Sequence, residues 1–309
     1  MTTPNLEPSA LTTILPTILP LLHSHRTNSP TPFILAISGA QGSGKSTLAS
    51  ALATSLRAHN YSVLPLSLDD LYLPHSGLVR ARESGNALLR TRGAPGTHDE
   101  VLGAEVFGKL RKGEDVKVPQ FDKSRFSGEG DRVSEEEWEV VGRVDVVVFE
   151  GWCVGFRALS AEAVEEKWMA AKEEAKRKGC VERTNALAGY ELADVQAINV
   201  NLARYEAAFM GPQCVDYMVH LDTENLETVF GWRTEQEHVL KKLKGEGMGD
   251  EQVERFVMGY MPSYQLYLDE LRTKPFFKDD PEYKQGRKGQ LLVVLDKNRQ
   301  VVRTKDWSL

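Results

Sequence analysis

Apolar positions recur along this chain with two different periods, and the changes of period lay out strands and helices. The apolar run FILAIS, Phe33–Ser38, reads as a short strand buried on both faces. After Lys45, Leu48, Leu52 and Leu56 recur with Ala49 and Ala53 beside them, which is one face of a helix. Tyr61–Leu73 predicts a second strand ending in two aspartates, and Val101–Leu110 a short helix. Val116–Arg132 predicts a loop or hairpin, given Pro119 and the later glycines. Val144–Trp152, Cys214–Asp222 and Gln290–Asp296 predict the third, fourth and fifth strands. Ser160–Lys178 predicts a charged covering helix with a narrow apolar stripe through Val164, Trp168 and Ala171, ended by Gly179. Further helices are expected at Ala193–Phe209, Leu226–Lys244 and Asp250–Leu271. Strands alternating with helices predict an α/β fold: a doubly wound, mostly parallel five-stranded sheet with helices on both faces.

The sharpest local pattern lies between the first strand and the first amphipathic helix. In ISGAQGSGKST, Gly39-x-x-x-x-Gly44-Lys45-Ser46 has the spacing of the phosphate-binding P-loop. Glycines allow positive φ and close approach of the backbone to a ligand. Successive N–H groups, including those of Gln41, Gly42, Ser43, Gly44 and Thr47, then line one concavity, and the helix start favours the same anion. Lys45 reaches the outer phosphates of a nucleotide and the Ser46 hydroxyl suits Mg²⁺. ATP and Mg²⁺ are the expected cofactors.

Ligands of such sheets sit beyond the strand C-termini. Asp69, Asp70 and Glu150 fall there. Phosphoryl transfer requires a carboxylate to accept the proton of the attacking hydroxyl and acids to organise the metal. Asp69 is the candidate base, and Ser46, Asp69 and Glu150 are the candidate metal shell. A helix cap is an equally good account of Asp70. Arg92, His98, Lys123, Arg125, Arg132, Arg157 and Arg233 lie in or near loops, and RGAPGTHD combines a fixed turn with donors and an acceptor. A small anionic acceptor suits such a clamp, because arginine binds a carboxylate bidentately. The candidate acceptor residues are Asp70, Tyr72, Arg92, Thr97, His98, Asp99, Lys123, Arg125 and Arg157.

Composition narrows the partners. The chain has 309 residues, 41% hydrophobic and 27% charged, with a net charge of -6. Ordinary globular composition with an acidic balance gives no support for nucleic acid as the partner. Cys153, Cys180 and Cys214 form no C-x-x-C pair, so a reducing, cytoplasmic compartment is expected. No run of eighteen apolar residues predicts a membrane span. Ile14–Leu22 is apolar but lacks a basic flank, and Pro16 and Pro20 are expected to break it. A short helical segment packed on the core is expected there rather than a secretory signal. A monomer or weak homo-oligomer is expected.

The segments GAQGSGKST, SLDDLY, RGAPGTHD, FDKSRFSGEGDR, FEGWCVGFR, VNLARYE, VFGWRTEQE and FVMGYMPSYQLYL, in this order, resemble the D-glycerate 3-kinase family of plants and its fungal relatives. That family groups with the P-loop kinases related to uridine kinase, phosphoribulokinase and pantothenate kinase. The resemblance covers about Ile34 to Leu271 and implies ATP:D-glycerate phosphotransfer. It places Asp69 at the base position, with Leu71 where the relatives carry an aromatic and Tyr72 retained. It also places Arg233 in a lid over the nucleotide phosphates. The implied organisation is an N-terminal extension over residues 1–32 and one kinase domain over 33–309. Insertions are expected near 116–135, 160–210 and 226–271. Two competing readings are a kinase of another alcohol, such as a nucleoside or a pantothenate-like compound, and an ATP-binding regulator that hydrolyses slowly. The loop arginines favour an acidic acceptor over a nucleoside.

Overall fold

The computed structural model describes residues 9–244 and 247–308. Helix α1, Ser9–Asn28, precedes strand β1, Phe33–Gly39. Helix α2, Lys45–Ala58, leads to β2, Val63–Ser67. Helices α3, His75–Glu83, and α4, Glu100–Lys112, follow. Two small antiparallel ribbons come next: β3, Val116–Val118, pairs with β6, Glu139–Val141, and β4, Phe121–Asp122, pairs with β5, Asp131–Arg132. Strand β7, Val146–Gly151, returns to the main sheet. Helices α5, Ala161–Lys178, and α6, Leu192–Tyr205, precede β8, Tyr217–Thr223. The rest is α7, Glu227–Lys244; α8, Asp250–Met258; α9, Met261–Thr273; α10, Pro281–Lys284; and the hairpin β9, Gly289–Leu295, with β10, Val301–Asp306.

The main sheet runs β10-β9-β8-β1-β7-β2. The five predicted strands are its parallel members, and β10 adds a sixth, antiparallel edge. Alternate residues of β1 supply two cores. Ile34 and Ala36 pack among residues from α4, α5, α6, α8 and α9, while Phe33, Leu35 and Ile37 pack against α1 and α2. The sheet is therefore covered on both faces. Among the described residues no helix is long and apolar enough to cross a membrane.

Two predicted boundaries move, and one expected break is absent. The second strand stops at Ser67, not Leu73. There the Ser67 hydroxyl accepts the Asp69 N–H and the Asp70 carboxylate accepts the Ser67 N–H, a reciprocal cap that starts a 3₁₀ turn over Leu68–Leu71. The helix expected over Asp250–Leu271 breaks at Gly259 and Tyr260 into α8 and α9. In the N-terminal segment, α1 runs through Pro16 and Pro20. Both prolines are exposed and four residues apart, so the carbonyls they leave free, on Thr12 and Pro16, lie on the wet side of the helix. Its other side buries Leu11, Ile14, Ile18 and Leu22.

Candidate active site

The parallel register aligns the chemistry. Ile37 of β1 and Ser67 of β2 both pair with Glu150 of β7, so three strands end together beside the turn that starts at Gly39. That turn needs its glycines. A Cβ on Gly39 would lie 2.8 Å from the Leu221 carbonyl oxygen of β8. Gly42 and Gly44 have φ of 75° and 92°, the left-handed region. As the first residues of α2, Lys45, Ser46 and Thr47 have backbone N–H groups with no acceptor inside the helix.

Lys45 is 9% exposed, and its ammonium donates to the Ala40 carbonyl at 3.0 Å. Burial pulls its pKa below the ordinary lysine value, against the opposing pull of the Glu150 and Asp69 carboxylates. Glu150 Oε1 accepts the Ser46 hydroxyl at 2.8 Å and the Ser67 hydroxyl at 3.1 Å. A carboxylate and hydroxyls in contact are hard oxygen donors of the kind Mg²⁺ takes. Among the described residues no three His, Cys, Asp or Glu side chains cluster as a self-sufficient metal cage. That also fits Mg²⁺, which is held by one or two carboxylates together with substrate phosphates.

Asp69 sits in the 3₁₀ turn after β2 and binds the Lys123 ammonium at 2.5 Å. Burial would raise its pKa, but the charge and hydrogen bond of Lys123 lead the effects that outweigh it and hold it below the usual carboxylate range. Asp69 is therefore ionised and paired. Asp70, one residue on, is pushed up to about 6 by burial and is occupied in the Ser67 cap. Tyr72 and His98 bridge two antiparallel segments and stack, ring centroids 4.4 Å apart. Arg92 lies over the Tyr72 and Phe121 rings and donates to the Gly128 and Glu129 carbonyls, which ties the RGAPGTHD turn to the segment between β4 and β5.

Other candidates have structural partners. The Thr97 hydroxyl closes its own turn, donating to the Ala94 carbonyl and accepting the Gly93 N–H. Asp99 caps α4 by accepting the Leu102 N–H at 3.0 Å and pairs with Arg132 at 3.0 Å. Arg125 reaches Asp122 at 3.4 Å on its own loop. Arg157 lies at the far end of the sheet. It binds Glu206 and the Phe276 carbonyl, and the Phe276 N–H is held by Gln290 at the start of β9. Arg233 does lie beside the phosphate-binding turn: its backbone nitrogen and Trp232 are what a Cβ on Gly42 would strike. Its guanidinium pairs with buried Glu237 at 2.8 Å and covers the Phe256 ring.

Three side chains on this site have no role that the sequence assigns. Arg299, in the β9–β10 turn, donates to the Gly42 carbonyl at 2.8 Å and pairs with Glu235 of α7. The Tyr264 hydroxyl of α9 accepts the Gln41 N–H at 3.0 Å. Tyr205 holds the turn before α4. Tyr264 and Tyr205 fall within FVMGYMPSYQLYL and VNLARYE, so the signal was present as segments without assigned roles. Asp296–Gln300 signals only a turn.

A solved D-glycerate 3-kinase from Cryptococcus neoformans var. grubii superposes with a TM-score of 0.82 at 34% identity, covering 96% of this chain and 99% of that one. The uncharacterized kinase mug58 of Schizosaccharomyces pombe is 37% identical, over 94% of this chain and 98% of its own. The chloroplastic D-glycerate 3-kinase of Arabidopsis thaliana is 32% identical, over 81% of this chain and 51% of its own. No family model matches the chain. With the phosphate cradle and the strand-end acids in place, these similarities define a P-loop kinase, a phosphotransferase with an alcohol group as acceptor. Within that class, the chain belongs to the D-glycerate 3-kinase family and its fungal relatives.

Proposed function

We propose that this protein transfers the γ-phosphoryl group of ATP to the 3-hydroxyl of D-glycerate. The observation that carries the reading is the Asp69–Lys123 pair facing Lys45 and Glu150 at the strand ends. The family relatives named for D-glycerate support the choice of acceptor. The backbone N–H groups of Gly42 and of Gly44–Thr47 hold the nucleotide phosphates, while the Ser43 N–H stays on the Ala40 carbonyl and Lys45 leaves it to neutralise the outer phosphates. Ser46 and Glu150 are the protein ligands for Mg²⁺, which neutralises phosphate charge when bound. Lys123 exchanges Asp69 for the acceptor carboxylate, which leaves Asp69 free to take the proton of the attacking hydroxyl. Arg299 on the β9–β10 turn braces the phosphate-binding turn, and Arg233 on α7, beside it, reaches the phosphates on leaving Glu237.

Two outcomes test this. Excess EDTA is expected to abolish transfer, and Mg²⁺ to restore it; undiminished turnover in EDTA contradicts the Ser46–Glu150 assignment. Glycerol lacks only the carboxylate. It is expected to be a poorer acceptor than D-glycerate by about ten- to a hundredfold in kcat/KM, the scale of one lost charge-assisted contact. Equal use of the two in a coupled ADP-release assay rules out an anionic acceptor.

A further inference from the structure

His98 is 3% exposed, and its ring Nε2 has no hydrogen-bond partner among the described residues. Its other nitrogen, Nδ1, lies 3.2 Å from the Tyr205 hydroxyl. The hydrogen bonds of that hydroxyl decide where the imidazole proton sits. Tyr205 Oη accepts the Gly96 N–H at 2.7 Å and the His98 N–H at 2.9 Å. A hydroxyl accepts through two lone pairs and donates one proton. Both lone pairs are in use, so it cannot also accept from an Nδ1–H. It retains its own O–H, which points to Nδ1 or to the His98 carbonyl oxygen 3.3 Å away. Only a bare Nδ1 can join this network, as acceptor of the Tyr205 O–H, so the geometry favours the neutral ring with its proton on Nε2. Burial keeps the ring neutral, holding it down to about 4.

The ring lies against the segment that carries the candidate base. The Asp99 N–H donates to the Leu71 carbonyl and the Leu73 N–H to the Thr97 carbonyl, which sets Tyr72 and His98 side by side on one face. Asp69 lies in the turn that ends at Tyr72, and its charge acts on both Tyr72 and His98. The cover over Tyr72 is Phe121 with the segment before β5, where Phe126 and Ser127 hold left-handed φ of 50° and 53°. Positive φ at non-glycine residues clusters at ligand clamps and switch segments.

We infer that Tyr205 is a positioning residue that holds His98 as an uncharged Nε2–H donor, and that this donor binds an oxygen of the acceptor beside Asp69. The identity of the acceptor rests on the glycerate kinase reading; the tautomer does not. The lack of charge matters. An imidazolium here would lower the basicity of Asp69 further, while a neutral donor orients the acceptor and leaves the base intact.

The test combines ¹⁵N spectra of the histidines with kinetics of Tyr205→Phe. In the ligand-free wild type, His98 is expected to show the Nε2–H pattern, and its Nε2 signal to move when D-glycerate and a non-hydrolysable ATP analogue are added. Tyr205→Phe is expected to mix the two tautomers and to raise the acceptor KM about tenfold with the ATP KM unchanged, the scale of one lost hydrogen bond. His98→Gln, whose amide nitrogen can stand near Nε2, is expected to bind the acceptor better than His98→Asn. An Nδ1–H pattern in the wild type overturns the inference, and that spectrum decides even if Tyr205→Phe does not fold. Wild-type acceptor kinetics in a folded Tyr205→Phe also overturn it. Failure of the wild type to use D-glycerate defeats the substrate reading alone, because the ligand-free spectrum needs no acceptor.

Discussion

Lys45→Ala is expected to reduce phosphoryl transfer by about a thousandfold or more, the upper range for loss of one preorganised group facing transition-state charge. The side chain is the buried cation of the phosphate-binding turn, and among the described residues it is held by the Ala40 carbonyl and the charges of Glu150 and Asp69. Its burial works against its charge, as its lowered pKa records. Removing the ammonium therefore removes a desolvation cost along with one hydrogen bond. The melting temperature is expected to stay close to that of the wild type, or to rise. Thermal unfolding and ADP release on the same preparation check both halves. A folded Lys45→Ala protein with normal turnover is incompatible with phosphate binding at this turn.

Asp69→Asn is expected to lower kcat by about a hundred- to ten-thousandfold, the range for a general base, and to change acceptor KM much less. Asparagine keeps an oxygen that can accept from Lys123, so the loop that carries Lys123 has no reason to come away. The Asp69–Lys123 pair is also partly exposed, 29% and 57% for the two side chains, so its loss costs little stability. Separate titrations of ATP and acceptor distinguish the cases. A large rise in acceptor KM with kcat preserved would make Asp69 a binding group and not the base.

The phosphate-binding turn and the five parallel strands could be read from the chain because each rests on local pattern: glycine spacing for the turn, unbroken apolar runs for strands covered on both faces. The sixth strand could not. Val301–Asp306 lies on the sheet edge and is mostly exposed, so it shows no apolar run. The acceptor side was harder for a different reason. Arginine, histidine and aspartate in a loop have the same chemistry whether they bind a ligand or hold the fold. Asp99 caps a helix, Thr97 closes a turn, and Arg157 braces Glu206 at the opposite end of the sheet. Only tertiary contact separates these from His98, stacked on Tyr72, and Lys123, paired with Asp69. Arg299 shows the converse case. It reaches Gly42 across 257 residues of sequence, and no periodicity or spacing records such a contact.

Product analysis by ³¹P NMR tests the central claim most directly. Purified wild-type protein is incubated with ATP, Mg²⁺ and D-glycerate, and the products are resolved against authentic 2- and 3-phosphoglycerate. The account predicts stoichiometric ADP and 3-phosphoglycerate, with no 2-phosphoglycerate and no comparable product from glycerol or uridine. ADP accompanied by inorganic phosphate alone, or transfer to a neutral acceptor with D-glycerate ignored, would contradict it.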